Sequence, residues 1–405
     1  MRSPRSERSR REVNLVNAGN IYVAKAIAKR LAQRITQAFF GNTSEHGFEF
    51  VSASELGGKI YTEIVGRQQV TLERPDYFSE SDWRAFKVRD VHELPANFVL
   101  NLTDGYIIGR HGWTGISPTT IVRNIWQERG FETETFHRKR ANDGQGTAET
   151  ISLPGASVSL AMPWLPNYYH WTVQVIPRIK LIQSVIDLQS VDHWIITDPS
   201  PPYVVEWLQL IGIDPARIVP TANGRTIRCE QLIVSSVPSP NRHVQAWVIE
   251  YIRSLAPGLP VLSGPKRLFI ARNEGEKRRV VNAEHEAAKA GFEPILLHNK
   301  TVAEKISLFQ GADCVVGVHG AGLTNMIFCQ SSTRILELAP RNLTYPTFWK
   351  LSRQRGLRHE FLFGKEPRVP FPFYAPDPFA DLIIDSGELA IRLERLAEAI
   401  PHRAD

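Results

Sequence analysis

The stretch CVVGVHGAGLTNMIFCQSSTRILELAP, residues Cys314–Pro340, decides the reading of this chain. Its first five residues, Cys314 to Val318, have the unbroken apolar character of a strand buried on both faces. A glycine-containing turn follows at His319 to Gly322, then a short helix from near Leu323 and a second strand from Arg334 to Leu338. Gly320 and Gly322 are expected to let the backbone bend sharply and a ligand come close, while the N–H groups opening the helix meet an anion. The unit reads as a phosphate cradle, although similar turns also occur where nothing binds. His319 stands where the strand ends, the usual ligand crevice of open α/β sheets, and Glu337 near the end of the next strand is placed to accept ribose hydroxyls. A nucleotide is the expected guest, resting on Gly320, Ala321 and Gly322, with His319 and Asn325 touching its phosphates or the group it carries.

Working outward, 405 residues exceed one ordinary core, so two domains with appendages are expected. A 42% hydrophobic and 22% charged composition is that of a globular protein, and a net charge of +6 suits a polyanionic ligand or an anionic membrane surface without requiring either. No basic module interleaved with aromatics points to nucleic acid. Cys229, Cys314 and Cys329 show no metal-ligand spacing, and so sparse a count fits a reducing compartment and buried thiols. No apolar run reaches the roughly 18 residues of a membrane span, and the start lacks the apolar core of a secretion signal. A cytoplasmic location is expected. The helical pattern Tyr22 to Phe40, with Val23, Ile27, Leu31 and Ile35 in one stripe beside Lys25, Lys29 and Arg30, either packs on a domain or touches the inner face of a membrane.

After that tail and helix (1–42), Phe48 to Leu72 alternates as strands do, and Phe98 to Arg110 reads as a hairpin turning at Asp104-Gly105. Beyond the polar loop Arg138 to Gly146, apolar and helical stretches alternate from Ser157 onward in a βαβ rhythm. Helices are expected from about His170 to Leu188, Tyr203 to Ile211 and Val244 to Leu255, with strands at His193 to Thr197, Arg217 to Val219 and Gln231 to Val234. A second series begins with strand Lys266 to Ala271, helix Asn282 to Ala290, strand Glu293 to Leu297 and helix Val302 to Gln310, and leads into the opening stretch. The division that follows is an N-terminal acceptor-side unit (43–245) with a β-rich beginning, and a C-terminal nucleotide-binding unit (246–365). A Pro-rich segment and a last helix, Ser386 to Ile400, complete it (366–405), the helix returning to the first unit.

Two more segments carry chemistry. In NYYHWTVQVIPRI, Asn167 to Ile179, His170 stands at the entry to a helix, where a neutral imidazole can take a proton from a hydroxyl, though a histidine beside tryptophan is often structural. In RLFIARNEGEKRR, Arg267 to Arg279, Arg272 follows a strand directly and faces the glycine turn, where its forked guanidinium would grip a diphosphate. Of the basic run behind it, Arg279 is placed with Arg272 as a donor contact, while Lys277 and Arg278 read equally well as a solvated face.

Taken in order, NYYHWTVQVIPRI, RLFIARNEGEKRRVVN and VVGVHGAGLTNMIF resemble glycosyltransferase family 61, which includes bacterial capsular polysaccharide biosynthesis proteins. The resemblance covers about Asn167 to Pro340. It implies a GT-B architecture, two Rossmann-like domains facing across a cleft. It also implies transfer of a sugar, with inversion, from a nucleotide diphosphate donor such as a UDP-sugar to a glycan acceptor, with no obligatory metal or other cofactor. The chain shows no Asp-x-Asp pair to hold a divalent cation against a diphosphate. It departs from the family pattern at Gln174, where an acidic residue is common, so the base is left to His170 or to a carboxylate elsewhere, Asp104 among them. Two rivals stand beside this reading. A nucleotide-sugar binder without catalysis fits Gln174, and a dinucleotide-dependent oxidoreductase would need a full Gly-x-Gly-x-x-Gly set that neither half contains.

Overall fold

The computed structural model describes residues 48–74, 80, 83, 91–126, 136, 150–221, 224–256, 259, 264–273, 278–280, 283–340, 346–365 and 381–398. The basic tail, the Tyr22 to Phe40 pattern, the Arg138 to Gly146 loop, Lys277 and the Pro-rich segment lie outside them.

The first half is built on strands β1 (Glu49–Ser52), β2 (Tyr61–Val65), β3 (Gln68–Thr71), β4 (Val91–Leu94), β5 (Asn97–Ile108), β6 (Trp113–Gly115), β7 (Thr120–Arg123), β8 (Thr150–Ser159), β9 (His193–Ile196), β10 (Ile218–Pro220) and β11 (Thr226–Ser235). All except the β3–β4 pair join one sheet in the order β1-β7-β6-β5-β11-β8-β9-β10, with β2 also on β5. Within it β10, β9, β8 and β11 are parallel neighbours, a Rossmann-type 3-2-1-4 order. The β-rich beginning is continuous with this sheet, because β5 pairs antiparallel with β11 along nine residue pairs.

The second half holds β12 (Arg267–Ile270), β13 (Glu293–Ile295), β14 (Cys314–Val318), β15 (Arg334–Pro340) and β16 (Arg358–Gly364), all parallel, in the order β13-β12-β14-β15-β16. Counted along the chain this is 2-1-3-4-5, and the order reverses between β12 and β14. Every residue of β14 is buried, as the apolar run required, and alternate side chains serve opposite layers. Val315 joins the core shared with the first half, while Cys314, Val316 and Val318 face the outer layer formed by helices Ala283–Lys289 and Ser386–Glu398. Helix Val302–Gly311 begins in a reciprocal cap, with Thr301 and Glu304 each accepting the other's backbone N–H.

Two expectations are overturned. The segment with Asp104-Gly105 is no hairpin but the single strand β5, in which Asp104 takes φ 54° while the pairing with β11 keeps one register on both sides of it, so the chain runs straight on. The last helix does not return to the first half. Leu389, Leu393 and Leu396 pack with Phe269, Ala283 and Ala287 of the second, because its apolar stripe matches the uncovered face of the parallel sheet.

One apolar core crosses the junction between halves, joining Trp171, Val173, Ile176, Trp207 and Ile252 to Leu268, Ile306, Phe309, Leu323 and Phe328. Trp207 stacks on Phe328 with centroids 6.3 Å apart. Among the described residues, no helix is long and apolar enough to cross a membrane.

Candidate functional site

Where strand order reverses in a doubly wound sheet, the connections leave in opposite directions and open a crevice at the carboxyl ends of the strands. Here those ends are Ile270 and Val318, and the next residues beyond them include Arg272 and His319. The turn from β14 enters a tight helix, Ala321–Phe328, whose first N–H groups have no acceptor within the helix itself. Two guanidinium groups converge on it: Arg272 Nη2 and Arg278 Nη1 donate to the His319 carbonyl at 3.2 and 2.7 Å.

The glycines serve close approach rather than bending. Gly320 has φ 169° and ψ 169°, an extended backbone open to any residue, but a Cβ on it would lie 2.0 Å from Arg272 Nη2. A Cβ on Gly322 would lie 2.9 Å from Leu297 Cδ1 and 3.3 Å from Ile270 Cγ2. The absence of a side chain at Gly320 is what lets an arginine lie across the turn, while that at Gly322 lets the turn pack on Leu297 and Ile270. Among the described residues of the basic run, Arg278 reaches the site. Arg279, expected there, has its backbone tied to Asp381 and Leu382 instead.

Behind the turn, His319 Nδ1 bonds to Oε1 of Glu337, and His359 Nε2 bonds to Oε2 at 2.9 Å. Glu337 and His359 are fully buried. Burial would raise the Glu337 carboxyl, but the two histidines outweigh it and hold it well below the usual carboxylate range. With both oxygens engaged and no exposure, Glu337 cannot serve a ribose, and that expectation is corrected. Asn325 is likewise engaged within the protein: Nδ2 donates to the Gly322 carbonyl at 3.0 Å and Oδ1 accepts from the Tyr168 hydroxyl at 2.7 Å. It braces the turn and bonds it to the first half rather than facing a ligand.

From that half, Asn167 caps the segment carrying His170, its side chain accepting from the backbone of Tyr169 and His170. The turn then widens over Trp171–Val175, with Ile176 N–H reaching back five residues to the Trp171 carbonyl. Pro177 is the reason. It has no N–H for the Val173 carbonyl, which accepts from the Ser239 hydroxyl at 2.9 Å instead. Gln174 Nε2 donates in turn to the Ser239 carbonyl at 3.0 Å, so its Oε1 is the atom that meets His170 Nδ1. An amide oxygen can only accept, so Nδ1 carries the proton and Nε2 keeps its lone pair. Burial lowers the His170 imidazole from its ordinary value, Gln174 opposing and Arg242 reinforcing the shift. Gln174 therefore orients a neutral, proton-accepting imidazole.

Tyr169, beside His170, and His319 both meet the ring of Phe348, with centroids 5.8 and 5.0 Å away. Asp104, the alternative carboxylate, is more than half exposed and paired at 2.7 Å with Arg228 of the neighbouring strand β11. Among the described residues no group of three or more His, Cys, Asp or Glu side chains is arranged to hold a metal ion. Sequence reasoning missed His359, because nothing in RHEFLFG marks its histidine, and it left Arg278 undecided because a charge run has no direction until φ 62° turns the residue toward the sheet.

Residues 168–336, which carry His170, Arg272, Arg278, His319 and Asn325, match the model of the family described as Glycosyltransferase 61. No curated protein matches the chain.

Proposed function

From its membership in glycosyltransferase family 61 over residues 168–336, we propose that this chain moves a sugar from a nucleoside diphosphate donor, a UDP-sugar by preference, to a glycan hydroxyl with inversion. The observation that carries the donor half is the pair of guanidinium groups converging on a turn that has no room for a side chain, at the switch point of a parallel sheet. The diphosphate lies against the N–H groups that open helix Ala321–Phe328. Arg272 and Arg278 supply the positive charge that a metal supplies in other designs.

His170 Nε2 takes the proton of the acceptor hydroxyl, whose oxygen forms the new bond to the anomeric carbon. The bond from that carbon to the donor phosphate breaks on the opposite side, and its electron pair stays on the phosphate oxygen, where the arginines stabilise it. The two halves take the GT-B roles, acceptor side first and donor side second. Capsule or other polysaccharide assembly supplies such acceptors, and peripheral contact with the inner face of a membrane fits acceptors held on lipid.

Arg272→Ala should reduce turnover about 100-fold, the usual cost of one group that stabilises transition-state charge. A screen of nucleotide sugars by thermal shift should raise the melting temperature with one base in particular. NMR of the product should give the anomeric configuration opposite to the donor's. Tight donor binding without turnover on any acceptor would favour the non-catalytic binder. Retention of configuration would exclude direct displacement.

A further inference from the structure

The family-matched segment ends at Leu336, yet the group that fixes His319 lies beyond it, on β15 and β16. Glu337 is a fully buried carboxylate with one oxygen on each of two histidines. His359, on the edge strand, is 0% exposed, and among the described residues its side chain bonds through Nε2 to Glu337 while Nδ1 has no partner. Burying a charged carboxylate with two imidazoles is costly even when they are paired, so an apolar packing of the same volume would be the more stable choice. What the arrangement provides is direction. His359 holds Oε2, which sets the plane of the carboxylate, and Oε1 then holds His319 Nδ1. The ring cannot rotate without breaking that bond, and Phe348 closes its flank. His319 retains 9% exposure and its Nε2 has no hydrogen-bond partner among the described residues, so one polar atom is left facing outward beside the turn where Arg272 and Arg278 converge.

We propose that Glu337 and His359 are positioning residues for the transfer reaction, holding His319 so that Nε2 contacts the donor's phosphate oxygen or sugar. This rests on the reading of the turn as a nucleoside diphosphate site. His319 is the catalytic group of the set, because it touches substrate, and the other two act through it. His359 thereby extends the site to β16, the edge strand of the second sheet, and couples donor handling to a residue with no access to solvent.

The test compares His359→Phe, His359→Gln and Glu337→Gln with wild type, each checked for folding by melting temperature. Isothermal titration with UDP, GDP, ADP, CDP and TDP gives affinity, and steady-state transfer gives kcat and KM. His359→Phe fills the space without a donor and should lower kcat at least tenfold, the typical effect of removing a partner that orients a histidine ligand. His359→Gln, which restores an N–H near the original position, should recover most of it. Glu337→Gln should lower kcat as much and displace its pH profile, which a purely structural role would leave unmoved. Folded His359→Phe and Glu337→Gln proteins with kcat and nucleotide affinity within twofold of wild type would overturn the proposal. If wild type bound none of the five nucleotides, the donor-site reading itself would fall, a result distinct from the first.

Discussion

At the scale of single residues, the site depends on an absent atom at Gly320 and on an amide at Gln174. A methyl group on residue 320 would collide with the Arg272 guanidinium. Gly320→Ala should therefore weaken nucleotide binding at least tenfold, about 1.4 kcal/mol, while the melting temperature changes little, because the backbone there is extended and unstrained. Titration calorimetry beside a melting curve checks both halves of that expectation. Gln174 was legible as a departure from a family pattern, but its meaning was not: only the Ser239 carbonyl, 65 residues away, fixes which end of the amide faces His170. Gln174→Glu should give His170 an anionic partner and so favour its protonated form. Since a protonated imidazole cannot take a proton, the acid limb of the kcat profile should move to higher pH by about one unit. An unchanged limb would mean that His170 is not the base.

At the scale of elements, legibility followed local pattern. β14 and β15 were read from residues because parallel strands buried on both faces are plainly apolar, and the helix Val302–Gly311 from its place in the alternation of apolar and helical stretches. β8 was missed because Pro154 and Gly155 interrupt it, and the strand exists only through its pairing with β11 and β9. Asp104-Gly105 misled for a related reason, since a residue able to adopt positive φ can sit inside a paired strand as well as at a turn. The bond from Tyr168 to Asn325 is a further case, because it links elements 157 residues apart. Tyr168→Phe removes the donor and leaves a buried amide oxygen unpaired, so chemical denaturation should show a loss of about 1–3 kcal/mol, with weaker nucleotide binding as the turn loosens.

At the scale of the molecule, the halves share a core, and the chain should unfold as one body. Calorimetry should show a single transition, and two well-separated ones would contradict the continuity between Trp207 and Phe328. Trp207→Ala should cost about 3–5 kcal/mol and lower that transition as a whole. Acid should act on the molecule through groups that are poor at accepting protons when folded. His243, buried beside Lys350 and with the tilted ring of His92 3.9 Å away, is pushed from 6.5 down to about 3 by burial and then by those two neighbours. Its folded value lies below its unfolded one, so the stability it contributes is present above about pH 6.5 and is lost as pH falls toward 3. Glu337 acts in the same sense at lower pH, its value being depressed from the ordinary carboxylate range. Denaturant midpoints measured between pH 8 and 4 should fall steadily, and His243→Phe should flatten the upper part of that decline.

The tryptophan-lined seam also restricts how a substrate gets in and out. Two lobes hinged across an open gap could gape to release product, but here gaping would strip Trp207, Phe309 and Phe328 of their neighbours and wet them. On the proposed reading, donor and product would pass along the rim above the strand tips, and the short connections there, rather than a movement of the halves, would set the pace of turnover.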